Sequence, residues 1–274
     1  MTAQEITRLA QLRRADAITM IFRAGGGHTG GSLSCLDILS VLYYDVLRIR
    51  PGDPFWPDRD RFLLSKGHSV EGYWALLADR GFFPKEELRT YSQPGSRLIG
   101  HPSNKVPGVE LCTGALGHGL AAGVGMALGA KRLNKDCRAV VLMGDGELAE
   151  GSVWEAAMAG AHYKLDNLFV IIDRNGLQIS GTTEDVMAHR DLHAKWHAFG
   201  WDVTEIDGHD VQKLMDYFHG AKQQGSPHCL IAHTVKAKGL PFAENRADWH
   251  HKVPNEQQLV QGYQALNVEG VSWL

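Results

Sequence analysis

The sequence predicts an α/β protein in which a doubly wound parallel sheet carries helices on both faces. Three short apolar runs, at residues 61–64, 139–143 and 168–172, have the pattern of buried strands, and longer amphipathic stretches separate them. Each run ends in a turn rich in glycine and polar residues. Because ligands bind at the carboxyl edge of open parallel sheets, we expect these turns to form the functional site.

The segment between the second and third runs has the signals of a helix. Ser152 and Glu155 form the S-x-x-E pattern of a capping box, which predicts a helix that begins there and ends near residue 164. A right-handed crossover through this helix would bring the two flanking turns to one sheet edge, where Asp145 and Asn175 could meet. No linker interrupts the pattern, so we expect one domain over residues 1–274. The remaining predicted elements are strands at 201–206 and 229–233, a helix at 211–222, a loop at 239–254 and a last helix at 256–266.

Composition and charge exclude several classes of function. Hydrophobic residues make up 44% of the chain, which is ample for a buried core. The formal net charge is -3, from 28 basic and 31 acidic residues, so no excess of positive charge favours binding to nucleic acid or to an anionic membrane. We therefore expect neither nucleic acid nor membrane among the partners.

The cysteines and the apolar segments indicate a cytoplasmic protein. The 4 cysteines lie far apart without a C-x-x-C pair, so the sequence suggests neither a zinc ribbon nor a disulfide framework, and a reducing compartment fits. The first 14 residues lack the apolar core of a signal peptide. Residues 111–130 have about the length of a membrane span, but their many glycines and alanines and His118 favour a tightly packed buried helix.

Asp145 and Asn175 supply the oxygen ligands that Mg²⁺ or Ca²⁺ prefers and that suit zinc poorly. Two side chains do not complete an octahedron, and a backbone carbonyl, water and the oxygens of a bound phosphate would fill the other positions. Gly144 and Gly146 would let the backbone approach such a ligand. Taken alone, the G-D-G triplet is also a common turn signal.

The triplet, followed about thirty positions later by Asn175, resembles the thiamine-diphosphate signature, and the intervening sequence has the strand and helix which that signature requires. Within the thiamine enzymes the chain resembles transketolase over nearly all of its length, from about residue 8 to residue 266. The motifs that carry the resemblance are GHTG at 27–30, SKGH at 65–68, GSRLIGHP at 95–102 and TGALGHG at 113–119.

The resemblance implies a bound thiamine diphosphate and a metal ion, Mg²⁺, which Ca²⁺ or Mn²⁺ could replace. Asp145, Asn175 and the carbonyl of Leu177 would hold the metal and anchor the diphosphate. Glu150 would face its symmetry mate across a dimer, although it could also be an ordinary charge before a helix. The residues implied to bind the cofactor are His68, Gly114, Leu116, Gly144, Gly146, Glu150, Asn175 and His250.

The resemblance also implies a catalytic set of histidines: His28, His68, His101 and His250. Their neutral imidazoles would orient the hydroxyls of the donor sugar and exchange protons near pH 7. His251 stands where the family has glycine, so it competes with His250 for the assigned role, and His118 would line the cofactor site. A separate possibility is a zinc site, because one helix would align three histidines at i, i+4 and i+8, namely His189, His193 and His197.

The implied reaction moves a two-carbon ketol unit from a ketose (phosphate) to an aldose (phosphate). The family activates thiamine through a glutamate of a second, pyrimidine-binding domain, for which too few residues remain after the His250 loop. We therefore expect a split enzyme with a complementary C-terminal transketolase subunit in an α₂β₂ assembly. The alternatives are one half of a 1-deoxyxylulose-5-phosphate synthase-like enzyme or of a sulfosugar transketolase, a non-catalytic cofactor-binding or regulatory module, and, least favoured, a dinucleotide-binding enzyme suggested by Gly117 and Gly119.

Overall fold

Five parallel strands form one sheet, in the order β1-β2-β3-β5-β4. The computed structural model describes residues 1–222 and 224–274. The predicted strands are confirmed to within one or two residues, although β3 runs two residues further than its apolar pattern. Their bounds are Arg61–Leu64 (β1), Ala139–Gly144 (β2), Leu168–Arg174 (β3), Asp202–Asp207 (β4) and His228–His233 (β5).

Helices cover both faces of this sheet, so the predicted doubly wound α/β class is confirmed. The helices are Ala3–Ala24 (α1), Thr29–Ser34 (α2), Leu36–Val41 (α3), Val70–Asp79 (α4), Gly119–Arg132 (α5), Gly151–His162 (α6), Thr183–Met187 (α7), Leu192–Ala198 (α8), Val211–Gly220 (α9) and Glu256–Ala265 (α10). A π-helical turn spans Leu42–Val46, and 3₁₀ turns span Lys85–Thr90, Gly146–Ala149 and Ala247–Trp249.

The central strands are buried on both sides because each packs against two hydrophobic cores. In β2, Val140 and Leu142 contact the core formed with α1, α3, α4 and α9, whereas Val141 and Met143 contact the core formed with α5, α6 and α8. Side chains alternate between the faces of a strand, so a strand covered on both faces needs a continuous apolar run. This requirement explains why these strands could be predicted from apolar runs in the sequence.

The predicted capping box at Ser152 is wrong. Helix α6 begins at Gly151, and its cap residue Glu150 makes no side-chain capping bond. The Ser152 hydroxyl instead donates to the carbonyl of Gly117 at 3.0 Å, which ties the loop before α5 to the start of α6. The helix also ends at His162, two residues before the predicted end. A long-range contact thus takes the hydroxyl that the local pattern assigns to a cap.

The apolar segment 111–130 is not a membrane span. Its helical part belongs to α5, a helix of 14 residues, and among the described residues no helix is long and apolar enough to cross a membrane. The 28 residues before it, 91–118, hold neither a helix nor a strand. Gly117 and Gly119 therefore lack the preceding strand of a dinucleotide-binding fold, which removes the support for that alternative.

The strand ends place the predicted turns side by side. Gly144 at the end of β2 pairs with Asp173 near the end of β3, and Arg174 pairs with His233 at the end of β5. The chain segments after β1, β2, β3 and β5 consequently leave the sheet at one edge. This edge carries the site.

Candidate active site

A cavity of about 380 Å³ opens at the carboxyl edge of the sheet. Its walls come from the turns that follow β1, β2, β3 and β5 and from the loops that begin α2 and α5. Most of the residues predicted for the site line it: His28, His68, Gly114, Leu116, Gly144, Asp145, Gly146, Asn175, Leu177 and His250. Lys66, Glu147, Gln178 and Lys236 also line it and were not assigned from the sequence.

The three residues expected to hold the metal, Asp145, Asn175 and Leu177, all line the cavity. The Asp145 carboxylate accepts hydrogen bonds from the amides of Gly146 at 2.8 Å and Gly176 at 2.6 Å, so it is fixed against the turn that holds Asn175. The Asn175 side-chain oxygen accepts from the amide of Leu177 at 3.2 Å. Asp145 is 2% exposed, and burial, together with the charge of Asp173, raises its pKa to about 6.

Lys236 adds a buried positive charge to the same place. Its ammonium group donates to the carbonyl of Leu177 and to Nδ1 of His250, both at 3.1 Å. Burial, reinforced by the nearby Lys66, lowers the pKa of Lys236 to about 8. The sequence held a usable signal for this residue, because it follows the strand β5 as Asp145 follows β2.

A second lysine supports the floor of the cavity. Lys66 forms a buried ion pair with Asp173 at the end of β3 and donates to the carbonyl of Gly31 at 2.9 Å. Asp173 raises the pKa of Lys66 in spite of burial, and Lys66 in turn lowers the pKa of Asp173. Ser34 completes the cluster by donating to Asp173 at 2.6 Å, which joins α2 to the sheet.

Glu147 fastens the turn after β2 to the loop before α5. Its carboxylate accepts from the hydroxyl of Ser65 and from the amides of Gly117 at 2.9 Å and Gly144 at 3.2 Å. Burial raises the pKa of this carboxyl group. The contact ties the loop that carries Gly114 and Leu116 to the turn that carries Asp145, and all three residues line the cavity.

Four predicted histidines and one further histidine form a cluster at the cavity. The ring centroid of His28 lies 5.2 Å from that of His68, 6.1 Å from His101 and 5.6 Å from His250. His251 is closer, with its ring 4.5 Å from His28 in an edge-to-face arrangement. The structure thus brings the four predicted rings together and places His251 against the same ring.

The rings inside the cavity are neutral at physiological pH. Burial lowers the pKa of His28 to about 4, that of His68 to about 2 and that of His250 to about 3. After burial, the largest cause of the lowered pKa is the charge of His251 for His28, the charge of Lys66 for His68 and the charge of Lys236 for His250. Neutral imidazoles can both donate and accept hydrogen bonds, as groups that orient hydroxyls must.

Three of the residues expected at the site lie outside the cavity lining. His101 is exposed, and it sits so close to Gly114 that a Cβ at Gly114 would lie 2.7 Å from its ring. Glu150 is exposed at the start of α6 and packs against Gly117. His118, the residue before α5, is likewise exposed and does not line the cavity. His250 fits the assigned role better than His251, because His250 bonds to Lys236 and lines the cavity.

The zinc alternative finds no support in the structure. His189 lies before α8, which begins at Leu192, so the three histidines do not share one helix. The rings of His193 and His197 stack at 6.3 Å. Among the described residues, no group of three or more histidine, cysteine, aspartate or glutamate side chains is placed to hold a metal ion.

Comparisons with known proteins agree with this site. The family described as "Transketolase, thiamine diphosphate binding domain" matches residues 6–269. One of the subunits of the apulose-4-phosphate transketolase of Phocaeicola vulgatus is 48% identical over 259 residues, which cover 94% of this chain and 92% of that protein. One of the subunits of a 6-deoxy-6-sulfo-D-fructose transketolase from a Clostridium species is 38% identical over 98% of this chain and 100% of its own.

A solved structure shows the same fold. The transketolase from Campylobacter jejuni superposes with a TM-score of 0.93 at 31% identity, over 98% of this chain. This chain covers 43% of that protein, so it corresponds to less than half of a full-length transketolase. The sequence motifs, the cavity and these relatives lead to one conclusion: the chain belongs to the transketolase family of transferases and corresponds to its thiamine-diphosphate-binding domain.

Proposed function

We propose that this chain is the diphosphate-binding subunit of a two-chain transketolase that moves a ketol unit from a ketose (phosphate) to an aldose (phosphate). One observation carries the proposal. A single cavity combines the oxygens of Asp145, Asn175 and Leu177, the ammonium group of Lys236 and a cluster of neutral histidines. This combination provides for a metal diphosphate at one end and for polyol chemistry at the other.

The donor set fits Mg²⁺. It consists of one carboxylate, one amide oxygen and one backbone carbonyl, the hard ligands that Mg²⁺ shares with the phosphates of its partner. Among the described residues no salt bridge reaches the buried Asp145 carboxylate, and a divalent cation would supply the missing charge. Gly144 and Gly146 leave room for the diphosphate, and Lys236 would donate to it. Ca²⁺ or Mn²⁺ could take the place of Mg²⁺.

The histidines would act on the sugar. When bound, thiamine diphosphate supplies the nucleophilic carbon for breaking and forming carbon–carbon bonds. His28, His68, His101 and His250 would then hold the first hydroxyls of the donor and move protons to and from its oxygens. Gly114 and Leu116 would border the aminopyrimidine, and the neutral state of the buried rings lets each ring donate a hydrogen bond to a sugar oxygen and accept one from a hydroxyl.

A partner chain would complete the enzyme. We propose that residues 1–274 form one cofactor-binding unit and that a complementary pyrimidine-binding subunit joins it in an α₂β₂ assembly. Relatives whose names make them single subunits of apulose-4-phosphate transketolases support this arrangement. Glu150, exposed at the start of α6, would face its symmetry mate there, and Met158 on the same helix is 55% exposed.

The compartment is part of the same proposal. All 4 cysteines are free thiols, and Cys112 is exposed. A reducing compartment preserves such thiols, which supports a cytoplasmic enzyme.

The relatives described above support a choice of the first substrate to test. We propose apulose 4-phosphate as the first donor to test, because the Phocaeicola vulgatus protein, part of an apulose-4-phosphate transketolase, is 48% identical to this chain. The sulfosugar alternative rests on 38% identity and comes second. Ketol-transfer assays with one donor that carries a phosphate and one that carries a sulfonate would distinguish the two proposals.

The test measures ketol transfer by the chain alone and by the chain mixed with its pyrimidine-binding partner, with thiamine diphosphate and Mg²⁺. We expect activity in the mixture only, and we expect EDTA to remove both the activity and the calorimetric signal of cofactor binding. Normal turnover by the chain alone would refute the two-chain proposal. A cofactor-loaded complex that transfers no ketol unit from any ketose would leave a non-catalytic module as the better account.

A further inference from the structure

Glu71 is a buried carboxylate beside the histidine cluster, and the proposed chemistry does not use it. It lies in the first turn of α4, one turn after His68, and its side chain is 0% exposed. No salt bridge reaches it among the described residues, so hydrogen bonds alone must compensate its burial. Burial raises the pKa of this carboxyl group, and the hydrogen bonds from Ser32, Tyr91 and the backbone of His28 oppose that rise.

Three donors from two other segments converge on this carboxylate. Oε1 accepts from the backbone amide of His28 at 2.8 Å and from the hydroxyl of Tyr91 at 2.7 Å. Oε2 accepts from the hydroxyl of Ser32 at 2.5 Å. The chain passes so close that a Cβ at Gly27 would lie 2.6 Å from Oε1. His28 is therefore bound to Glu71 through its backbone amide, and the adjoining Gly27 leaves no room for a side chain.

The contacts link the chain segments that carry three of the clustered histidines. Glu71 lies in the first turn of α4, which begins two residues after His68; it binds the backbone of His28 and the hydroxyl of Tyr91, in the segment that continues to His101. A second bond from the same helix fixes that segment, because the indole of Trp74 donates to the carbonyl of Ile99 at 2.9 Å. Helix α4 thus serves as the common support of the three histidines.

We propose that Glu71 is a positioning residue that sets the place of His28 relative to His68 and His101 for binding and turnover of the sugar. The inference rests on the proposed function, since the histidines are the groups that would handle the donor hydroxyls. Glu71 would act on His28, which is not among the residues assigned to the cofactor, and the metal and diphosphate would be held by Asp145, Asn175 and Lys236. Loss of Glu71 should therefore affect turnover of the sugar and leave binding of thiamine diphosphate intact.

The main variant is Glu71→Met, which keeps an unbranched side chain and removes every acceptor. In the two-chain enzyme we expect kcat/KM to fall by about 10- to 100-fold, the cost of a misplaced reacting group. The affinity for thiamine diphosphate, measured by calorimetry with Mg²⁺, should stay at the wild-type value. Glu71→Gln should recover most of the activity, because its amide oxygen still accepts from His28 and Tyr91.

Two further variants complete the design. Tyr91→Phe removes one hydroxyl and should lower kcat/KM by about 3- to 10-fold, as one lost hydrogen bond does, without threatening folding. Glu86→Gln changes an exposed glutamate of the neighbouring 3₁₀ turn and should behave as wild type. The imidazole NMR signals of His28 in the isolated chain report its position directly, and we expect them to shift in Glu71→Met and to return in Glu71→Gln.

The outcomes separate the inference from the proposed function. A wild-type complex without ketol transfer would refute the function, and the His28 signals would still decide whether Glu71 positions that ring. An active wild type with equal kcat/KM in Glu71→Met, per folded enzyme, would overturn the inference. If Glu71→Met does not fold, Tyr91→Phe decides: wild-type kinetics with unmoved His28 signals would overturn it.

Discussion

Lys236 places a positive charge where the proposed diphosphate would bind. Replacing it by Met keeps most of the stem and removes the donor. We expect thiamine diphosphate to bind about 10- to 100-fold more weakly, the range of a charged hydrogen bond of about 1.5–3 kcal/mol. Calorimetry on the isolated chain with Mg²⁺ measures this affinity. Lys238→Met is the matched control, since its ammonium lies 3.9 Å from Glu244 on the surface, and equal affinities in both variants would contradict the role of Lys236.

His251 stands where the resemblance to the family leads us to expect glycine, and its ring lies against that of His28. The charge of His251 is the second cause, after burial, of the lowered pKa of His28. His251→Gly removes that repulsion and uncovers the ring, so the pKa of His28 should rise from about 4 towards its ordinary value of 6.5. The pH titration of the His28 ring protons by NMR measures the change. An unchanged midpoint would show that the contact is absent in solution.

The close approach of α5 to the sheet depends on glycine. A Cβ at Gly123 would lie 2.5 Å from Val141 of β2, whereas a Cβ at Gly125 would meet no atom within 4 Å. We expect Gly123→Ala to lower the free energy of unfolding by about 1–3 kcal/mol through overpacking. Gly125→Ala on the same helix should raise it by about 0.5–1 kcal/mol, because alanine favours helix. Urea unfolding compares the two, and equal effects would mean that α5 lies further from β2.

Helices α1 and α3 are joined by a buried ion pair that depends on pH. Asp37 of α3 accepts from Arg14 of α1 at 3.0 and 2.7 Å and lies 2.7 Å from His209. Burial opposes its ionisation, but Arg14 and the bond to His209 prevail and lower the pKa of Asp37 from 3.8 to about 2. Because the folded-state pKa is depressed, the stabilisation is present above pH 4 and is lost as the pH falls towards 2.

The variant Asp37→Asn tests this pair. It leaves Arg14 buried with a neutral partner, and we expect it to lower the free energy of unfolding at pH 7 by about 3–5 kcal/mol. The difference from wild type should shrink between pH 4 and pH 2. Asp136→Asn, whose partner Arg48 is 43% exposed, should cost less than about 1 kcal/mol. A loss that persists unchanged to pH 2 would contradict the ionic origin.

At the scale of the whole molecule, the proposed assembly predicts an interface on α6. Met158 is 55% exposed on that helix, while Val260 is 53% exposed on α10, which packs on α1 across the sheet. Met158→Glu should weaken association in the reconstituted enzyme about 10-fold or more, because it would bury an unpaired charge. Val260→Glu should not. Sedimentation of the two-chain mixture measures both, and intact assembly of Met158→Glu would move the interface elsewhere.

Local patterns in the sequence were enough for the fold class and for Asp145 and Asn175, whereas the histidines, Gly114, Leu116 and Leu177 were expected only from the resemblance to the family. Strands buried on both faces require unbroken apolar runs, and a parallel sheet brings the turns after them to one edge, so Asp145 and Asn175 could be paired without coordinates. The failed capping box at Ser152 marks the limit of such patterns, since a distant carbonyl, that of Gly117, takes its hydroxyl.

Only the tertiary structure decided which charged groups are buried against the site. Glu71 and Glu147 are ordinary charged residues in the sequence, and Lys236 is marked only by its place after a predicted strand. Their partners at His28, Gly117 and Leu177 lie 43, 30 and 59 positions away. No periodicity records a contact over such separations. The physical reason is that burial and electrostatic environment belong to the assembled fold: the sequence determines which chemical groups are present, and packing determines which of them lose water and acquire shifted pKa values.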